Sequence, residues 1–96
     1  SADTFADGVA CRATDPDALA IIRQGAARVV TVSEDEIKAA IRAYYTDTHN
    51  LAEGAGAVPL AALLQEKSTM AGKRVGLVLS GGNIDMDVYS AILSKA

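Results

Sequence analysis

Three short blocks hold the residues of this 96-residue chain whose types and spacing could do chemistry. Ser80-Gly81-Gly82-Asn83 sets a hydroxyl and a primary amide on either side of two residues without side chains. A flat or anionic group could approach such a backbone closely and find polar partners at both ends. The same glycine pair also reads as a plain tight turn after a strand. Glu53-Gly54-Ala55-Gly56-Ala57 places a carboxylate just ahead of a small-residue helix start. That carboxylate could serve a site, or it could simply complement the positive end of the helix dipole. Its two glycines do not complete a dinucleotide fingerprint, and no strand leads into them. Asp7-Gly8 is the third block, whose glycine reads by type as a loop position that needs φ > 0.

Other reactive residues carry less. His49 has no His or Cys neighbour at metal-ligand spacing, so no metal site is expected. Cys11 is the sole cysteine, which excludes an intrachain disulfide and suits a reduced, cytoplasmic setting. Tyr44, Tyr45 and Tyr89 read as packing residues. A net charge of −3 and no basic patch argue against nucleic acid as a partner. No apolar run reaches the length of a membrane span, and no signal-peptide pattern opens the chain.

The elements that would position these blocks follow from local pattern. Gly8 to Cys11 could form a short edge or connecting strand. Asp15-Pro16-Asp17 reads as a helix start, with Asp15 as cap and Pro16 in the first turn. The helix should run to about Gln24, with Leu19, Ile22 and Ile21 inward and Gly25 at its end. Arg28 to Val32 is β-branched and predicts a strand. Ser33-Glu34-Asp35-Glu36 is a capping box, after which Ile37, Ala40, Ile41 and Tyr44 share one helical face. Glu34 and Lys38 stand four apart in the favourable order. A further helix opens at Glu53 to Pro59, with Pro59 tolerable in a first turn, and runs to about Lys67, and Ser68 to Lys73 reads as a loop. The apolar run Arg74 to Leu79 predicts a strand buried on both faces, and a last helix spans about Asp85 to Ser94. The result is an α/β chain of order (β)αβααβα, part of a three-layer αβα sandwich. So few strands imply a piece of something larger, or one completed by association.

Taken together, Ser80-Gly81-Gly82-Asn83-Ile84-Asp85, Glu53-Gly54-Ala55-Gly56-Ala57, Phe5-Ala6-Asp7-Gly8-Val9-Ala10 and Val30-Thr31-Val32-Ser33-Glu34-Asp35-Glu36-Ile37 resemble the threonine/serine dehydratases. These are pyridoxal-phosphate enzymes of the tryptophan-synthase-β fold type, and the blocks stand in that family's order. The resemblance implies that the chain is the C-terminal part of the cofactor-binding domain. It implies that Ser80 meets the pyridine nitrogen of pyridoxal 5′-phosphate, with Gly81 and Gly82 at the ring edge and Asn83 bracing the turn. Glu53 and Gly54 would lie near the ring, and Gly8 on the substrate side. The intact enzyme would act on a small hydroxy amino acid, usually converting threonine to 2-oxobutanoate and ammonia.

The family's Schiff-base lysine sits in a Ser-Phe-Lys-type motif, and its phosphate in a glycine-rich loop. None of Lys38, Lys67, Lys73 and Lys95 has that context. The chain alone is therefore expected to lack activity, to contain no catalytic residue of its own, and not to hold the cofactor. Two other readings stand beside this one: an autonomous small-ligand or phosphate-binding module, and a non-catalytic remnant that self-associates. Bare sheet edges and apolar faces favour a homo-oligomer.

Overall fold

Helices supply all the regular structure among the described residues, which in this computed structural model are 4–10 and 13–95. They are α1 (Pro16–Gly25), α2 (Glu34–Ala43), α3 (Gly54–Gln65), the single turn α4 (Lys67–Met70) and α5 (Met86–Ser94). A 3-10 turn covers Asp7–Val9, and a π turn, Tyr44–Thr48, prolongs α2.

Local chemistry accounts for the starts. Asp15 Oδ1 accepts from the Asp17 amide at 3.0 Å with Pro16 at the first helical position. At α2 the capping box is complete: Glu36 N–H donates to Ser33 Oγ at 3.1 Å, and Ser33 N–H donates to Glu36 Oε1 at 2.7 Å. The π turn ends at His49, whose φ of 57° breaks the helix.

The core is small and rich in alanine. Ile37, Ala40 and Ile41 of α2 meet Ala57 and Ala61 of α3, with Ala52, Tyr89 and Ile92 closing the cluster. Short side chains let α2 and α3 approach closely, and Ile41 is the largest fully buried side chain. Two polar clamps fasten residues 28–33 to the far end of α3. Arg28 makes a two-pronged pair with Glu66, and Gln65 donates to the Thr31 carbonyl at 2.9 Å and to both Glu36 oxygens. The molecule is a slab of 40 × 35 × 19 Å with a radius of gyration of 14.2 Å. A compact chain of this length would have about 12.5 Å.

Several expectations are corrected. The αβα sandwich order finds no ladder among the described residues: 28–32 and 74–79 form no strand. A strand exists only through hydrogen bonds to a neighbour, and these two segments do not pair. The short strand expected from Gly8 is instead the Asp7–Val9 turn, and Cys11 lies outside the described residues. Ile21 and Ile22 face outward, Ile21 at 71% exposure, because α1 packs no face into the core. Pro59 sits inside α3, whose first residue is Gly54. Residues 67–70 form the turn α4 in place of a loop, with Gly72 at φ 80° after it.

Candidate functional site

Three segments far apart in sequence meet at the N-terminus of α3. The Glu53 amide, just ahead of the helix, donates to the Gly81 carbonyl at 3.1 Å. Glycines make the crossing possible. A Cβ on Gly56 would stand 2.6 Å from the Gly81 carbonyl oxygen and 3.2 Å from its nitrogen. One on Gly82 would stand 2.7 Å from the Leu51 carbonyl, and one on Gly54 would stand 2.8 Å from Ala6 Cα. Backbone thus touches backbone at three points, closer than any side chain permits.

The Glu53 side chain lies over this junction. Its Oε1 is 2.8 Å from where a Gly81 Cβ would project and 3.6 Å from the corresponding point on Gly8. Gly8 also faces Ala55, whose Cβ leaves only 2.7 Å. The structure therefore brings Glu53, Gly54, Gly81, Gly82 and Gly8 together. Beside them opens a recess of about 230 Å³, walled by Phe5, Asp7, Glu53, Gly54, Asn83, Ile84, Asp85 and Val88. Ser80 is exposed at the approach to the junction and is not among the walls of the recess.

Sequence reasoning missed Phe5, Asp85, Val88 and Leu51 as parts of this site. Phe5 sits inside a quoted block, but an aromatic residue before Ala-Asp-Gly carries no chemical signal of its own. Its ring packs on Gly54, at 3.1 Å from a Cβ placed there. Leu51 contributes a backbone carbonyl, which no residue type could announce.

Residues 1–81 match the model of the family described as "Pyridoxal-phosphate dependent enzyme". The chain belongs to that family. It is 47% identical to an L-threonine ammonia-lyase of Geobacter sulfurreducens over 93 residues, which are 96% of this chain and 23% of the relative. An L-threonine ammonia-lyase of Thermotoga maritima is 38% identical over 92 residues, with the same shares of 96% and 23%. An L-threo-3-hydroxyaspartate ammonia-lyase of a Pseudomonas species is 32% identical over 90 residues, 94% of this chain and 28% of that protein. The chain thus spans about a quarter of the length of the curated relatives it matches.

The donor set suits one end of the family's cofactor. An exposed hydroxyl followed by two residues without side chains can meet the edge of a flat heteroaromatic ring. The phosphate is a different matter: the walls of the recess carry the carboxylates of Asp7, Glu53 and Asp85 and no cationic side chain. Such a surface repels a phosphate dianion. Among the described residues, no group of three His, Cys, Asp or Glu side chains could hold a metal, and no helix is long and apolar enough to cross a membrane.

Proposed function

We propose that this chain is the C-terminal part of the catalytic domain of a pyridoxal-phosphate-dependent ammonia-lyase for a small β-hydroxy amino acid. Threonine is the substrate of choice, because the L-threonine ammonia-lyases named above match nearly its whole length. The observation that carries the reading is the junction of Glu53, Gly56 and Gly81, at which three of the four segments quoted for the resemblance converge. When bound, the cofactor supplies the electron sink that eliminating water and ammonia requires.

The residues of this chain have holding roles. Ser80 offers the ring nitrogen a neutral hydroxyl, which leaves it less charged than a carboxylate partner would. Gly81 and Gly82 keep side chains off the ring edge, Asn83 steadies the turn, and Glu53 and Gly54 form the adjoining wall. Gly8 borders the substrate side. The Schiff-base lysine and the phosphate cradle belong to other parts of the parent polypeptide, so this segment alone neither holds the cofactor nor turns over substrate. Segments 28–32 and 74–79 are the parent's sheet strands, paired there with neighbours beyond this chain.

The test uses the complete parent, loaded with cofactor and given L-threonine. Ser80→Ala removes one hydrogen bond of about 1–1.5 kcal/mol, so kcat should fall about tenfold. A parent without lyase activity on any β-hydroxy amino acid would overturn the function. An active parent indifferent to Ser80→Ala would overturn the role of Ser80 alone.

A further inference from the structure

We propose that the recess between α2 and α5 is a second ligand site, shaped for a small monoanion with an apolar body. It encloses about 380 Å³, within the range of roughly 300–1,000 Å³ typical of small-molecule sites. Val88, Ala91 and Ile92 line it from α5 with Phe5 beside them, while Lys38 and Lys95 stand among its walls with Asp87. Val88, Ala91 and Ile92 recur at the spacing of one helical face, and Lys95 follows just past its end. That face enters the core only through Ile92, because Val88 and Ala91 are exposed, so an apolar stripe runs out of the core into an open recess.

Charge decides the class of occupant. The Lys38 ammonium stands 5.6 Å from the centroid of the Phe5 ring, held over an apolar wall by the ring's negative face. Two ammonium groups against one carboxylate leave a surplus of one positive charge among the walls. A ligand with one carboxylate and a phenyl or short branched aliphatic body satisfies both features. A sugar or nucleotide would press polar groups against Phe5, Val88 and Ile92 without partners. Phe5 and Val88 also wall the recess beside Glu53, so an occupant here bears on two residues shared with the candidate site. Binding itself does not depend on the lyase reading.

The experiment titrates the complete parent polypeptide with phenylacetate and follows the methyl resonances of Val88, Ala91 and Ile92. Comparison ligands are 2-phenylethanol (the same body without charge), phenethylamine (the opposite charge) and acetate (charge without body). Phenylacetate should give saturable shifts and bind about 2–5-fold more tightly than 2-phenylethanol, the scale of a surface charge pair. Phenethylamine and acetate should give none. Lys38→Gln with Lys95→Gln should erase the preference for the anion, and Ala91→Phe should fill the recess and remove binding with the circular dichroism unchanged. The proposal is overturned by unsaturable shifts, by equal affinity for the alcohol and the acid, or by a preference that survives the double substitution.

Discussion

At the residue scale, what a glycine faces matters more than its being glycine. Gly56 faces the backbone oxygen of Gly81, which cannot retreat without breaking the crossing. Gly81 faces the end of the Glu53 side chain, which can swing away. Gly56→Ala should therefore destabilise the protein by about 2 kcal/mol or more, the scale of core overpacking. Gly81→Ala should cost under about 1 kcal/mol while displacing Glu53. Chemical denaturation of the two variants checks the order, and equal losses would contradict it. Tyr89 tests the opposite situation. Its hydroxyl is buried with no hydrogen-bond partner among the described residues, and burial raises its pKa, with Tyr45 adding to the effect. Tyr89→Phe removes an uncompensated polar atom and should raise stability by up to about 1 kcal/mol. A clear loss would mean that the hydroxyl is satisfied after all.

At the element scale, the chain was legible wherever structure is decided within a few residues. The Asp15-Pro16 start, the Ser33–Glu36 box and the inward face Ile37, Ala40 and Ile41 all follow from near neighbours. What depends on distant partners was not legible. Leu19 and Ile22 stand at helical spacing, yet α1 buries neither; residues 28–32 and 74–79 have strand composition and no ladder. In the candidate site the glycines and Glu53 could be read from type and spacing, whereas Leu51 enters through its main chain. Acid should undo the second element first. The Ser33 amide, then the Gln65 amide, hold Glu36 below its ordinary pKa, and Arg28 does the same for Glu66 through its hydrogen bonds and charge. A carboxyl depressed in the folded state contributes stability above its unfolded pKa, near 4.3 for glutamate, and loses it as pH falls through the folded value. Thermal unfolding between pH 6 and about 3 should show a fall in midpoint that is smaller in Glu36→Gln. An identical fall in that variant would remove Glu36 from the account.

At the scale of the whole molecule, the slab leaves large apolar side chains bare. Val29 is 77% exposed and Val78 is 73% exposed, both in segments whose main-chain groups lack a ladder. Bare backbone beside bare apolar side chains is what pairs with another copy. The isolated chain is accordingly expected to sediment as a dimer or larger species at micromolar concentration, and a stable monomer would count against this. The meeting of main chains at Gly56 and Gly81 bears on a different matter, how such a protein can diverge. A joint made of peptide groups asks almost nothing of the residues around it, so neighbouring positions can drift in size and polarity while the turn after residue 79 stays in place. As far as the shape of the bend is concerned, substitution there is narrowly forbidden at a few glycines and freer elsewhere, so a change at Ser80 or Asn83 can alter chemistry without moving the main chain.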